Sequence, residues 1–171
     1  MVETSKYFVF VKVMSIVLML SIVSCAHVIS KQIREQVKPN ITSREVLKDP
    51  ERYKGQIIIL SGVIIETENT KEGTLIKVLQ RPEGFRGKPK DVDETEGRFL
   101  AIYNGYLDAN IYAKGRSVTI AGEVQGKRIL PLGEIEYTYS VIYVKEIYLW
   151  PDEKRYYSPY PSWHIGFGYF Y

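Results

Sequence analysis

Hydrophobic and polar residues alternate over short stretches of the chain, a pattern that is typical of β-strands. In the stretch 74–80, Leu75 and Ile76 fall on opposite faces, and so do Lys77 and Val78. Turn-forming residues separate these stretches. The predicted strands are 56–66, 74–80, 98–103, 116–124, 127–137 and 140–150, the fifth following a turn at Gln125-Gly126.

Two of the predicted strands contain a glycine, Gly62 and Gly122. Glycine within a strand allows a sheet to coil sharply enough to close. Five or six short strands of this kind predict a mainly β fold, a small OB-like barrel. A β-sandwich remains the alternative. Residues 81–96, rich in proline, glycine and charge, are expected to form a long loop.

A short helix is predicted ahead of the strands. Thr42 precedes Glu45 by three residues, which is the spacing of a capping box. The helix is expected to end at Asp49, because the residue before Pro50 disfavours helical geometry. Upstream of it, residues 26–41 lack sustained periodicity and include Lys31, Arg34, Glu35, Lys38 and Pro39, which indicates a polar tether.

The first 25 residues have the form of a secretory signal. Lys6 and Lys12 precede the apolar stretch 13–20, and the segment ends in a lipobox-like sequence, Ile22-Val23-Ser24-Cys25. A transmembrane helix is the alternative. It would bring Lys12 into the span, because the uncharged run is shorter than the ~20 apolar residues that a spanning helix needs.

Cys25 is the single cysteine of the chain, which excludes an intramolecular disulfide and a cysteine-based metal cluster. A thiol at the end of a lipobox accepts diacylglycerol, and stable anchoring needs two acyl chains or an equivalent second signal. We therefore predict a covalent lipid on Cys25, palmitate included, and no other cofactor. The predicted division is a signal peptide over 1–24, a lipidated tether over 25–41, a barrel over 42–151 and an aromatic tail over 152–171.

The charge balance gives no indication of a nucleic-acid partner. The chain has 23 basic and 20 acidic residues, a net charge of +3, whereas a nucleic-acid site concentrates basic residues on one face. OB-like barrels can bind oligonucleotides or sugars on strands 2 and 3. The basic residues here are not interleaved with aromatic residues as single-strand binders require.

Catalytic and metal-binding patterns are weak. His27 is interpreted as a tether residue, and His164 lacks a second histidine nearby, so no metal site is predicted. An acidic loop lacks the glycine of a calcium-binding loop; it contains Asp91, Asp93, Glu94 and Glu96. Paired carboxylates facing a sugar are the alternative, an envelope glycan hydrolase. Its candidate residues are Glu66, Glu68, Glu134 and Glu136.

Arg98 and Arg116 each follow a glycine at the start of a predicted strand, and Asp108 lies between them. We expect one of these arginines to pair with Asp108 and fix the intervening loop. Ligand binding is the alternative role.

The tail from residue 156 onward is rich in aromatic residues spaced by proline and glycine. Tyrosine and tryptophan favour the membrane–water interface, where the ring is buried and the polar end remains hydrated. Contact with a membrane or partner is therefore one prediction, and a flap over the domain's own core is the other. The residues concerned are Tyr156, Tyr157, Tyr160, Trp163, Phe167, Tyr169 and Tyr171.

Taken together, motifs from about Pro50 onward resemble the Slp family of outer-membrane lipoproteins. Each motif is weak alone, but their order and spacing are specific. The residues that carry the resemblance are Gly62, Gly97, Arg98, Gly105, Asp108, Gly115, Arg116, Gly122, Glu134 and Trp150.

The resemblance implies a lipid-anchored protein of the outer membrane, facing the periplasm and linked to starvation or stress. Ala26 agrees with that location, since similar lipoproteins without aspartate after the cysteine are sent to the outer membrane. A non-enzymatic role is expected, binding an envelope protein or glycan or supporting the envelope.

Overall fold

The chain is described here from a computed structural model, which covers residues 27–152 together with Lys12 and Met14. Within residues 27–152, two short helices precede five strands, and 3-10 turns follow the second helix and β2. The helices are α1 (Lys31–Arg34) and α2 (Ser43–Lys48). The strands are β1 (Ile57–Thr70), β2 (Gly73–Gln80), β3 (Arg98–Tyr103), β4 (Ser117–Leu132) and β5 (Ile135–Leu149).

The five strands form one closed barrel in the order β1-β2-β3-β5-β4, with β4 returning to β1. The pair β3–β5 is parallel, and every other pair is antiparallel. This arrangement confirms the predicted OB-like barrel. The β-sandwich alternative is wrong, because a single sheet closes on itself and no second sheet packs against it in the described part of the chain.

The predicted turn at Gln125-Gly126 is wrong, and so is the separate strand predicted over 127–137. β4 continues through Gly126, where the register shifts by a bulge, and the hairpin turns later, at Gly133. Gly126 has φ of 108°, a backbone conformation that serves a bulge as well as a turn. The prediction therefore divided one long strand into two.

The interior of the barrel is apolar, and α2 covers part of it. Thr42 and Glu45 form the predicted capping box, and the hydrogen bonds from Thr42 lower the pKa of the Glu45 carboxyl. Helix α2 is thereby positioned to place Val46 against the strands. The core comprises Val46, Ile58, Leu60, Ile64, Ile76, Val78, Phe99, Ala101, Val118, Ile120, Val124, Ile142 and Val144.

A second apolar cluster lies on the outer face of β2, β3 and β5, since its residues alternate with those of the interior. The part of the β4–β5 hairpin beyond the barrel, residues 127–139, supplies three of its members; we call it the arm. The cluster consists of Leu100, Tyr139 and Val141 with Leu75, Ile102, Leu130 and Tyr137 packed against them. The arm is thus bound to the barrel wall.

Candidate functional site

Two sets of predicted site residues lie outside the described part of the chain. They are the lipobox with Cys25 and the aromatic tail from Tyr156 to Tyr171. Along the chain, the described residue nearest to Cys25 is His27, two residues after it. The surroundings of His27 are therefore the closest described part of the molecule to the predicted lipid attachment.

His27 packs on the barrel, which differs from the expected free tether. Its Nδ1 atom accepts a hydrogen bond from the Ile29 amide at 3.0 Å, and its Nε2 atom lies 2.8 Å from Glu83 Oε1. An imidazole that accepts at Nδ1 carries its proton on Nε2 when neutral, so Nε2 donates to Glu83. His27 is therefore a docking residue in this fold.

The rest of the N-terminal segment, residues 27–34, is attached at further points. The Val28 amide donates to the Arg86 carbonyl at 3.2 Å. Ile29 is fully buried, and the Ser30 amide lies 3.1 Å from both carboxylate oxygens of Glu146 on β5. One fully buried aliphatic side chain and several backbone hydrogen bonds hold the segment. The physical reason for the difference from a tether is this non-local pairing.

The 3-10 turn Phe85–Gly87 is fixed to the same side of the barrel. The Gly87 carbonyl accepts hydrogen bonds from Ser61 Oγ at 2.7 Å and Thr119 Oγ1 at 2.6 Å, both on buried residues. Trp150 Nε1 donates in turn to Thr119 Oγ1 at 2.9 Å. Because its partners belong to β1 and β4, the turn has a defined position on the barrel.

Gly87 also makes room for the N-terminal segment. Its φ is 90°, and a Cβ atom there would lie 2.7 Å from the His27 ring. Both the backbone conformation and the close approach therefore favour glycine. No local sequence pattern indicates this role, because the contacting ring is distant along the chain.

The turn presents an exposed aromatic side chain among cations. Phe85 is 73% exposed, and Arg86, Lys88 and Lys90 follow it in sequence. Lys88 Nζ lies 5.9 Å from the centre of the Trp150 ring. We call these four residues, Phe85, Arg86, Lys88 and Lys90, the turn face.

A groove beside the turn face is predominantly basic. Arg81, Lys88, Lys90 and Arg116 line it, with Asp91 and Asp152 as its acidic residues. The lining of the groove therefore carries two more basic than acidic side chains.

The predicted pairing of an arginine with Asp108 is wrong. Arg116 donates instead to the Ile111 carbonyl at 3.0 Å and the Trp150 carbonyl at 2.8 Å. Asp108 accepts from the Asn110 amide at 2.8 Å within its own turn. Because the carboxylate is satisfied within its own short turn, the arginine binds the carbonyl groups of Ile111 and of Trp150, which follows β5. Arg98 contributes its amide, which donates to Tyr137 Oη at 3.0 Å.

The other residues that carried the family resemblance lie at strand ends, turns and close strand contacts. Glycines at positions 62 and 122 lie within β1 and β4, where a Cβ atom would clash with a carbonyl of the neighbouring strand. The remaining positions flank strands or occupy the hairpin turn: Gly97, Gly105, Gly115, Glu134 and Trp150.

Of the candidate catalytic carboxylates, Glu66 is paired with a lysine. Glu66 Oε2 lies 2.7 Å from Lys77 Nζ, and this hydrogen bond raises the pKa of the Lys77 ammonium. Glu66 and Glu68 both line a small cleft under the arm. Glu134 and Glu136 lie at the far end of the arm and are exposed.

Two residues of the acidic loop, Asp93 and Glu96, lie next to arginines. Glu96 makes two hydrogen bonds of 2.9 Å with the Arg44 guanidinium, and Asp93 lies 4.0 Å from Arg81. Within residues 27–152, no three histidine, cysteine or acidic residues are grouped as metal ligands would be.

The face that OB-like barrels use for oligonucleotides is covered here by the chain itself. Leu75 on β2 and Leu100 and Ile102 on β3 pack against Leu130 and Tyr137 of the arm. A base stacking on these strands would have to displace the arm.

Solved structures with low similarity include two single-stranded DNA-binding proteins. Mitochondrial Rim1 from S. cerevisiae has a TM-score of 0.36 and 14% identity, covering 56% of this chain and 95% of that one. The small single-stranded DNA-binding protein from Streptomyces coelicolor has a TM-score of 0.35 and 16% identity, covering 59% and 97%. With TM-scores below 0.5, neither similarity bears on function.

The fold defines a small OB-type barrel with its N-terminal segment docked on the outside. Residues 22–171 match the family described as "Outer membrane lipoprotein Slp family". The chain therefore belongs to the Slp family of outer membrane lipoproteins, and the predicted family is confirmed.

Individual relatives agree with this assignment. Outer membrane protein Slp of Escherichia coli (strain K12) is 28% identical over 144 residues, covering 83% of this chain and 76% of that protein. The uncharacterized lipoprotein YeaY of the same organism is 26% identical over 105 residues, covering 61% and 54%. No helix in the described residues combines the length and apolar character needed to cross a bilayer.

Proposed function

We propose that this outer-membrane lipoprotein is anchored through lipid on Cys25, faces the periplasm, and has a non-enzymatic role. In that role its barrel binds an envelope protein or glycan and supports the envelope under stress. The observation that carries the proposal is the docking of the N-terminal segment, which ties the barrel to the residues next to Cys25.

Chain geometry makes this connection short. His27 is two residues after Cys25, and an extended chain spans at most about 7 Å over that distance. His27 is itself bonded to Glu83 in the loop that follows β2. Acyl chains on Cys25 would therefore hold the barrel against the bilayer surface, with no long spacer between them.

The lipobox supports the chemistry of the anchor. Cleavage before Cys25 would remove the signal peptide, and the freed residue would carry its lipid at the new N-terminus. Each buried CH₂ group contributes about 0.8 kcal/mol, so multiple acyl chains anchor the protein stably.

The anchor is tested by replacing the acceptor. Cys25→Ser is expected to remain uncleaved, to incorporate no labelled palmitate, and to disappear from the outer-membrane fraction. Ser24→Ala is the matched control, since alanine is a usual lipobox residue, and it should behave like the parent. Labelled fatty acid on Cys25→Ser would overturn the proposal.

Orientation has a separate test. Protease added to intact cells should leave the barrel uncut, whereas the same protease should digest it once the outer membrane is permeabilised. Digestion in intact cells would place the barrel on the outer surface.

The non-enzymatic role is supported by the Glu66–Lys77 pair, because a carboxylate held by an ammonium is a poor general acid. Purified lipoprotein is expected to release no fragments from peptidoglycan. Hydrolysis that Glu68→Gln abolishes would overturn this part and establish the glycan hydrolase instead. Glu134→Gln, at the far end of the arm, serves as the control substitution.

A further inference from the structure

The turn face is held close to the site of lipidation. The Val28 amide donates to the Arg86 carbonyl at 3.2 Å, and Val28 is three residues after Cys25. An extended chain of that length spans at most about 11 Å. Acyl chains entering a bilayer at Cys25 would therefore bring the 3-10 turn to the bilayer surface.

The turn cannot move away without losing buried hydrogen bonds. Ser61 and Thr119 both donate to the Gly87 carbonyl, and both are buried. Breaking such bonds leaves polar groups unsatisfied inside the protein. The position of the turn relative to Cys25 is thus a fixed feature of the fold.

The chemistry of the turn face matches that of an anionic bilayer. Phe85 is 73% exposed, and aromatic and apolar side chains of interfacial segments are buried at the boundary between headgroups and acyl chains. The adjoining groove carries four basic residues against two acidic ones. Basic side chains next to a bilayer are attracted to anionic phospholipids.

We infer that the turn face is a second membrane-docking site, at which Phe85 enters the bilayer interface and Arg86, Lys88 and Lys90 lie against anionic phospholipid headgroups. The inference rests on the proposed lipidation of Cys25. The lipid and the turn face together orient the barrel. Strands β1 and β4 then lie on the side of the bilayer, with the turn and the N-terminal segment between them and the lipid.

Site-specific fluorescence tests the docking in the full lipidated protein. Cys25 is the single native cysteine, so acylation leaves a cysteine introduced by Phe85→Cys as the only thiol to label. Tyr106→Cys is the matched control, because Tyr106 is 75% exposed. The neighbouring Gly105 accepts a hydrogen bond at its carbonyl from Thr74, which places Tyr106 near the β1–β2 turn. Ser61, which binds Gly87, is nine residues before Thr70 at that turn, so the two positions are up to about 30 Å apart along β1.

Both labelled proteins are reconstituted in vesicles of phosphatidylethanolamine and phosphatidylglycerol containing spin-labelled lipid. The fluorophore at position 85 should be quenched several-fold more strongly than that at position 106. Equal quenching at the two positions, in protein whose mass shows the lipid, would overturn the docking site alone. An unlipidated mature chain would overturn the proposed function, and the docking site with it.

The headgroup contact has its own test. In the Phe85→Cys protein, Lys88→Glu with Lys90→Glu should reduce quenching several-fold, and so should replacement of phosphatidylglycerol by phosphatidylcholine. Lys71→Glu with Lys127→Glu makes the same change of charge elsewhere and should leave quenching unchanged. Quenching that responds to neither lipid nor charge would overturn the role of the cations.

Discussion

At the scale of single residues, Gly87 joins three parts of the fold. Its carbonyl binds β1 and β4 through Ser61 and Thr119, and its missing side chain admits the His27 ring. Two strands and the N-terminal segment thus meet at one position of the turn. No local pattern distinguishes this glycine from the others in its loop, so it could not be predicted from the sequence.

Gly87→Ala is expected to destabilise the protein by more than the cost of its backbone conformation. Gly115 is the matched control, because its φ is 88° and a Cβ atom there would meet nothing within 4 Å. Gly115→Ala should cost about 1–2 kcal/mol for a left-handed alanine. Gly87→Ala should cost roughly 1–3 kcal/mol more from overpacking against His27.

Urea unfolding of the two variants checks this difference in the free energy of unfolding. Equal losses of stability would contradict the contact between His27 and Gly87.

Other single residues were predictable to different degrees. The capping box of Thr42 and Glu45 could be predicted, because both members are close in sequence and need no other part of the fold. The partners of Asp108 and Arg116 could not, since each finds backbone groups whose positions depend on the turn and on the end of β5.

At the scale of elements, the N-terminal segment shows how little sequence signal a docked segment needs. Its one fully buried hydrophobic side chain is Ile29, and its remaining attachments are hydrogen bonds to Arg86, Glu83 and Glu146. Three apolar residues among five polar ones, Val28, Ile29 and Ile33, establish no sustained periodicity. The prediction of a free tether followed from that absence.

Ile29→Ala is expected to release this segment while the barrel stays folded. Loss of a fully buried isoleucine side chain costs about 2–5 kcal/mol, which favours local opening of the segment. Trypsin should then cleave after Lys31 and Arg34 about tenfold faster or more. Ile135→Ala is the control, because Ile135 is 63% exposed.

Cleavage rates are measured by mass spectrometry of the fragments under native conditions. An unchanged rate in Ile29→Ala would contradict the docking of the segment through Ile29.

The long strand β4 is an element that the sequence divides wrongly. Gly126 lies beside Gln125 in a pattern that is typical of a turn, but β5 pairs with β4 on both sides of it. Pairing with a neighbour decides between a bulge and a turn, and that information is non-local.

At the scale of the whole molecule, segments of the chain cover two outer faces of the barrel. The N-terminal segment and the Phe85–Gly87 turn lie over β1 and β4, and the arm lies over β2, β3 and β5. The N-terminal segment, which binds the turn, is close in the chain to Cys25, the predicted site of the lipid. The arm covers the face that OB-like barrels use for ligands.

The aromatic tail is expected to contact the bilayer as well. The test compares the lipidated parent protein with lipidated Trp163→Phe on vesicles that contain brominated lipid. The bromine should quench a larger fraction of the tryptophan emission in the parent, because tryptophan favours the membrane–water interface. Trp150 remains in both proteins and supplies the common background. Equal fractional quenching would favour the flap over the domain's own core.

The sequence by itself determined the β-rich class, the capped helix, the family and the predicted lipid acceptor Cys25. These depend on local alternation, on short spacings and on motif order, which are readable along the chain. Only the tertiary structure decided that residues 27–34 dock on the barrel, that Phe85 and its cations adjoin them, and that the arm covers β2 and β3. These features depend on contacts between distant residues, and closing the barrel is what brings those residues together.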